Sequence, residues 1–410
     1  GHPVDEGNET RLRYRRASTM TRSNLASLLA WPGKSAPSSG AAEHPAIYHM
    51  LDVAAVAEQL ARTDPRRDAL ALCAGLHGLG KISASFRSML REGRAQTFRH
   101  WQISEHLLRE NDDLLGPVLG GEGTRSRRDL YAAIAGHHGR PPQTTKKDFA
   151  RMGRAVGRDA ADDARAAVAA LVELWPDAPR IADASDRAAL TWWLPGFIAA
   201  ADWLGSSADF FPPCAPGPSL AAYLKTARER AEAAVDAAGL RRPSVAEASL
   251  LPPSWIPRPM QERAAEVTLP EGPTLALIED ETGAGKTEAA LIRARRMLAE
   301  GKGDGIYVAL PTMATANAMF QRTSEVLGRL YSGRPTLALA HGRARQSEAF
   351  RALLGAEARG EDAPTCTAWL ADDRRRALLA TVGVGTIDQA LLSVLPTRHA
   401  PLRHFALSSK

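Results

Sequence analysis

Cysteine is scarce in these 410 residues: Cys73, Cys214 and Cys366 lie far apart, with no C-x-x-C pair. That excludes a disulfide framework and a cysteine zinc site, and it fits a reducing, cytoplasmic setting. No secretory leader is expected from the opening residues, because Arg11, Arg13, Arg15 and Arg16 are not followed by a clean apolar core. No long apolar run is available to span a membrane. The most apolar stretch, Ala188 to Gly205, is broken by Pro195 and Gly196 and carries Asp202, so it reads as a buried helix. Internal repeats are also absent.

What is present is an ordinary globular composition. Hydrophobic residues make up 44% and charged residues 24%, which excludes wholesale disorder. The length predicts two or three domains. A net charge of +6 is compatible with a polyanionic partner without requiring one.

The texture changes once along the chain. From residue 44 to about 240, Ala, Leu and Arg dominate, β-branched runs are scarce and the pattern is helical, as in Met50 to Arg62, Asp68 to Leu76, Ser104 to Arg109 and Ala160 to Trp175. Residues 241–259 hold five prolines and read as an interdomain linker. Beyond them, Thr274 to Ile278 and Gly305 to Leu310 are short apolar runs, each followed by a loop and a helical pattern. That is the rhythm of an α/β domain with a parallel sheet. The expected organisation is 1–240 helical, 241–257 linker, and 258–410 a partial α/β domain.

Histidines gather in the helical part: His49, His77, His100 and the adjacent pair His137-His138. Asp202 sits in an apolar Ala-Asp-Trp-Leu setting, where a buried carboxylate needs a partner. A lone histidine on a helix is usually a surface or satisfied core residue. An adjacent pair is a better ligand candidate, because two rings reach two metals, or one metal and a phosphate. Imidazoles and carboxylates on facing helices are how a helical bundle builds a metal site, and two metals are what phosphodiester hydrolysis uses.

The second motif is Glu281-Thr-Gly-Ala-Gly-Lys-Thr287. Gly283 and Gly285 let backbone N–H groups approach phosphate, Lys286 reaches the β and γ phosphates, and Thr287 can ligate magnesium. The strict G-x-x-x-x-G-K-T form fails, because position 280 is Asp. The shorter T-G-x-G-K-T form is satisfied between a candidate strand and a candidate helix. An ATP site with magnesium is expected.

These motifs, in this order, resemble the CRISPR-associated helicase–nuclease of type I (I-E-like) interference systems. His44-Pro45 … His49-Met50-Leu51-Asp52-Val53 is similar to the entry helix of its HD nuclease domain, and Trp31 … Gly33-Lys34-Ser35 to the segment before it. Leu76-His77-x-x-Gly80-Lys81, Gly136-His137-His138-Gly139 and Ala201-Asp202-Trp203-Leu204-Gly205-Ser206 follow. Arg258-Pro259-Met260-Gln261 resembles the adenine-reading Q-motif region. Leu310-Pro311-Thr312-Met313-Ala314-Thr315, Ala340-His341-Gly342-Arg343 and Gly383-Val384-Gly385-Thr386 resemble DNA-contacting strand-end motifs of superfamily 2 helicases.

The resemblance implies a multidomain fold, an all-α HD-type domain followed by an incomplete RecA-like α/β domain. It implies a hydrolase: a metal-dependent single-stranded DNA nuclease (endonuclease and exonuclease) joined to an ATP-dependent 3'-5' helicase in antiviral defence. By it, His49, His77, His100, His137, His138 and Asp202 are metal ligands. His77, Lys81 and Asp202 are catalytic, with Lys81 placed to hold a phosphate. Gly283, Gly285, Lys286, Thr287 and Gln261 bind nucleotide, and Thr312, Thr315, Arg343 and Thr386 touch DNA. The implied metals are Mn, Ni, Co, Fe or Mg. The implied partners are single-stranded DNA and the RNA-guided surveillance complex (Cascade), met through its large subunit; a monomer is expected. The 410 residues do not include the acidic Walker B box or the second motor domain that the resemblance implies, so these residues alone are expected to bind ATP weakly without hydrolysing it.

One position departs from the family. The pair that names the HD fold is His-Asp, and here it is His77-Gly78. That aspartate bridges the two metals, and glycine brings no charge to hold two cations together. Natural or introduced, Gly78 is expected to weaken metal binding and nuclease activity. A nuclease-dead module that binds DNA or the complex is the alternative. An HD phosphohydrolase acting on nucleotides is a third reading, opposed by the helicase motifs.

Overall fold

The computed structural model describes residues 22–34, 43–247, 249–354, 365–373 and 375–410. The arginines at 11–16 and Ser35 lie outside these residues. Two compact units emerge, Gly1–Ala234 and Val235–Lys410.

The first unit is helical: α1 (Arg22–Leu29), α2 (Ala46–Leu60), α3 (Arg67–Leu76), α4 (Ala84–Glu92), α5 (His100–Glu110), α6 (Asp112–Leu119), α7 (Gly123–Ala135), α8 (Lys146–Val156), α9 (Arg158–Leu174), α10 (Arg187–Gly205) and α11 (Leu220–Ala237). A short antiparallel pair, β1 (Pro32–Lys34) with β2 (His44–Pro45), leads into α2. Helix α2 is the centre: every residue from Ala46 to Glu58 is buried. A helix apolar all round belongs inside a bundle, so its three polar residues His49, Asp52 and Glu58 each need a reason to be there.

The apolar stretch around Pro195 is helical and buried from Leu194 to Ala201, as its composition suggested. No single helix among the described residues is long and apolar enough to cross a membrane. Helix α5 begins at His100, earlier than the Ser104 start read from the pattern. The Gln102 side chain accepts from the Arg99 N–H at 2.9 Å, which satisfies an otherwise orphaned donor and starts the helix there.

Helices α6 and α7 are fastened by one carboxylate. Asp112 accepts from Arg127 Nε (2.7 Å) and Nη2 (2.6 Å) and from the Tyr131 hydroxyl (2.6 Å). The Arg127 hydrogen bond above all holds its pKa down at about 2. A depressed carboxyl stabilises the fold above its unfolded value near 4 and loses that contribution as pH falls through the folded value. Asp112→Asn is therefore expected to melt at lower temperature than the unsubstituted chain at neutral pH. Followed by circular dichroism, the gap should close as pH drops from about 4 to 2.

The second unit carries a three-stranded sheet. Numbering strands in chain order, β3 (Ser244–Val245) pairs antiparallel with β5 (Tyr331–Ser332). Strands β4 (Ile306–Leu310), β6 (Leu337–Ala340) and β7 (Val382–Thr386) form a parallel sheet of order β4-β7-β6. Its helices are α12 (Pro259–Glu266), α13 (Lys286–Ala299), α14 (Met313–Leu330), α15 (Glu348–Leu354), α16 (Ala368–Asp372), α17 (Ile387–Leu391) and α18 (Ala400–Leu407). The strand expected at Thr274 to Ile278 does not form, and Leu275 and Leu277 are 97% and 81% exposed. A strand needs a neighbour, and among the described residues no segment pairs with this one.

Candidate metal centre

Five elements deliver the histidines and the aspartate. His49 rises from the buried helix α2, His77 caps the end of α3, His100 opens α5, and His137 and His138 form the turn after α7. Asp202 comes from the last turn of α10.

Two glycines make the approach possible. A Cβ at Gly80 would stand 2.0 Å from the His100 carbonyl oxygen and 2.6 Å from the Ser104 nitrogen. Only glycine lets the turn after His77 lie against the start of α5. Ser104 then stitches the two together, accepting from the Gly80 N–H at 2.9 Å and donating to the His77 carbonyl at 2.8 Å. A Cβ at Gly205 would meet Val53 Cγ2 at 3.0 Å. That close crossing of α10 over α2 sets Asp202 Oδ1 3.3 Å from His49 Nε2 and 3.5 Å from His77 Nε2.

The six residues gather into two adjoining triads. Potential ligand atoms of His49, His77 and Asp202 lie within 4.8 Å of one another, and so do those of His100, His137 and His138. The His77 and His137 rings, 4.8 Å apart, join the triads. Nε2 of His100 and of His138 are 3.0 Å apart.

The imidazoles are prepared as ligands. His77 Nδ1 is 2.5 Å from the Ala74 carbonyl and His137 Nδ1 is 3.2 Å from the Ile134 carbonyl. A carbonyl only accepts, so each Nδ1 carries the proton and each Nε2 keeps a free lone pair. Those Nε2 atoms, with both ring nitrogens of His49, are buried without a hydrogen-bond partner. Orphaned buried nitrogens are costly, and a cation would satisfy them. Burial, then the neighbouring Lys81 cation, pushes His49 and His100 well below the usual imidazole range; burial, then His77, does so for His137. Burial works to raise Asp202, but the close approach of the His49 and His77 imidazoles outweighs it and holds the carboxyl well below its ordinary value. Neutral imidazoles beside an ionised carboxylate fit a divalent cation.

Lys81 is buried, with Nζ 3.5 Å from the Gly33 carbonyl. Burial pulls its pKa down to about 8 against the attraction of Asp202. Gly78 has φ −87° and ψ 5°, a conformation open to any residue. A Cβ there would lie 3.1 Å from Met50 Cγ, 3.8 Å from His49 Cδ2 and 4.0 Å from Lys81 Cδ. The backbone thus makes no demand for glycine, and a side chain would project beside His49.

The sequence reading gave no role to a second buried cluster on α2. His44 Nε2 donates to Asp52 Oδ2 (3.0 Å), His44 Nδ1 accepts from the Cys214 N–H (3.2 Å), and Tyr223 donates to Asp52 Oδ1 (2.9 Å). Asp52 stands three residues after His49, so this network fixes the helix that carries His49. The signal available was a charged residue on an otherwise apolar helix. Lys34 Nζ likewise holds the Gly205 carbonyl at 3.0 Å, beneath Asp202.

In the second unit, Gly283 (φ 87°) and Gly285 (φ 88°) adopt the left-handed conformation, and Lys286 begins α13. Lys286 Nζ donates to the carbonyls of Asp280 (2.7 Å) and Glu281 (2.6 Å), and Thr287 follows in the first turn. Gln261 is buried beside the loop, its Nε2 3.5 Å from the Gly285 carbonyl, and Arg258 donates to the Gly283 carbonyl. Thr312, Arg343 and Thr386 all follow or end parallel strands β4, β6 and β7 on the same edge, where ligands of parallel sheets bind. Thr312 and Thr315 cap α14 and are exposed, as is Arg343; Thr386 is buried. His341, quoted in the strand-end motif but given no role of its own there, ties the loop after β6 to α14. It accepts at Nδ1 from the Arg343 N–H (3.2 Å) and donates from Nε2 to Asn317 (3.0 Å).

Comparison with known proteins gives a consistent picture. The family profile described as "Cas3, HD domain" matches residues 31–211. A CRISPR-associated endonuclease/helicase Cas3 of Thermus thermophilus is 34% identical over 91% of this chain and 45% of its own length. The crystal structure of T. fusca Cas3-AMPPNP superposes with a TM-score of 0.74 at 29% identity, over 92% of this chain and 46% of that one. A chain of a CRISPR RNA-guided surveillance complex, pre-nicking, matches with a TM-score of 0.63 at 25% identity, over 93% of this chain and 43% of its own. The chain spans about half the length of the relatives it matches.

Proposed function

The chain belongs to the Cas3 family of type I CRISPR helicase–nucleases, and from that premise we propose that its first unit is a single-stranded DNA nuclease centre weakened by Gly78. Two adjoining triads with orphaned imidazole nitrogens carry this reading. His49, His77 and Asp202 would hold one divalent ion, and His100, His137 and His138 another. Imidazole-rich sets favour iron, cobalt or nickel over magnesium. Bound ions supply a water activated at neutral pH and charge stabilisation of the attacked phosphate. The chain's own residues set the frame. The Ala74 and Ile134 carbonyls orient two imidazoles, Ser104 and Gly80 hold α5 against His77, and Lys81 offers a buried ammonium to a phosphate oxygen.

Gly78 is the weak point. The second triad holds three imidazoles and no carboxylate, so two cations brought side by side would repel with only Asp202 to offset them. Reduced occupancy of one position and low cleavage follow. The alternative, a binding module without nuclease activity, draws on the same residue. A titration of manganese or nickel, run alongside cleavage of single-stranded DNA, decides between an impaired nuclease and a dead one.

In the second unit, Gln261, Gly283, Gly285, Lys286 and Thr287 would take ATP with magnesium, and Thr312, Thr315, Arg343 and Thr386 would meet a DNA strand across the sheet edge. In this reading, an RNA-guided surveillance complex delivers the displaced strand. Lys286→Ala is expected to abolish binding of a fluorescent ATP analogue while the first unit's metal binding stays unchanged. Retained nucleotide affinity would place the phosphates elsewhere.

A further inference from the structure

The histidine cluster is open on one side. His49, His77 and His137 are buried, whereas His100, His138 and the neighbouring Trp101 are half-buried. Two basic segments lead to this open side. Arg99 immediately precedes His100, and Arg140 comes two residues after His138. From Arg140 the chain runs into α8, which carries Lys146, Lys147, Arg151 and Arg154. All six cations are exposed.

The two segments are packed together. The Arg151 guanidinium sits 5.6 Å from the Phe98 ring centre, against the stretch that presents Arg99. Thr144 donates to Glu105 of α5 at 3.0 Å, tying the intervening loop to the helix that begins with His100. Charge is concentrated here: residues 139–158 hold six basic residues and one acidic residue. Nearby arginines are neutralised, Arg91 by Glu43, Arg127 by Asp112 and Arg165 by Asp113. Among the described residues none of the six pairs with a carboxylate. Unpaired like charges repel, which a polyanion laid across them would reverse.

We infer that a single-stranded polynucleotide reaches the histidine cluster over this face, its phosphates against Arg99, Arg140, Lys146, Lys147, Arg151 and Arg154. The inference rests on the nuclease reading and names the path to that site. Trp101 favours a single strand over a duplex: its half-buried ring lies 4.4 Å from that of His138, at the open edge, where an unpaired base can stack.

The test uses the full chain with Lys146, Lys147, Arg151 and Arg154 all changed to Gln. Binding to a labelled oligo-dT strand is followed by fluorescence anisotropy over a range of salt, and nickel binding by calorimetry reports an intact cluster. A single-strand contact contributes about 0.7 to the salt slope per phosphate. Four lost contacts should lower the slope by roughly 3 and the affinity by about 10-fold or more, with nickel binding unchanged. If the quadruple variant fails to fold, Arg99→Gln with Arg140→Gln should lower the slope by about 1.4. Affinity and slope that survive neutralisation overturn the inference alone, and would assign the face to a protein partner instead. Absence of single-strand binding by the unsubstituted chain overturns the nuclease reading with it.

Discussion

Gly78→Asp is expected to raise metal-dependent cleavage of single-stranded DNA by about 100-fold or more, since even an outer-shell change around a metal costs 10–100-fold. The backbone at 78 needs no rearrangement, with φ at −87°. The new Cβ would meet only Met50 Cγ closely, at 3.1 Å, and a flexible thioether chain yields a few tenths of an ångström. The carboxylate would emerge beside His49 and offset the repulsion between two ions. Calorimetry should show a second tight metal equivalent appearing together with the activity. A variant that folds and binds a second ion yet still does not cleave would move the defect away from position 78.

Asp202→Ala carries the second large effect. Asp202 is the one carboxylate among the six gathered residues, 3.3 Å from His49 and 3.5 Å from His77. Without it the first triad is left with two imidazoles and no carboxylate beside the buried cation of Lys81, and an arriving ion meets repulsion with nothing to offset it. Nickel affinity at that triad is expected to fall by about 100-fold or more. The paired comparison is His44→Ala, which disturbs the network on Asp52 but leaves all six gathered side chains in place. It should cost thermal stability and much less nickel affinity. Equal loss of affinity in both variants would mean that Asp202 acts through the fold and is not a ligand.

The sequence made the gathered set legible because its signals are local. An adjacent histidine pair, and an aspartate in an Ala-Trp-Leu run, are unusual enough to stand out without a structure. The devices that hold the set together were not legible, because each depends on segments distant in sequence. Ser104 joins Gly80 to His77 across 24 and 27 positions, and Tyr223 reaches Asp52 across 171. The tautomers of His77 and His137 depend on carbonyls three residues back that only the end of a helix exposes. In the second unit the loop proposed to take nucleotide was legible through Gly283, Gly285 and Lys286. The apolar run Thr274 to Ile278 reads as a strand because apolar runs usually are. Whether it becomes one depends on a neighbour, which its own residues cannot specify.

The measurement that bears most directly on this account is a nickel or manganese titration of the unsubstituted chain, with single-stranded DNA cleavage assayed on the same sample. Fewer than two tight equivalents and little cleavage are predicted. Two tight equivalents with robust manganese- or nickel-dependent cleavage would contradict the account, because the centre would then work without the carboxylate that Gly78 lacks.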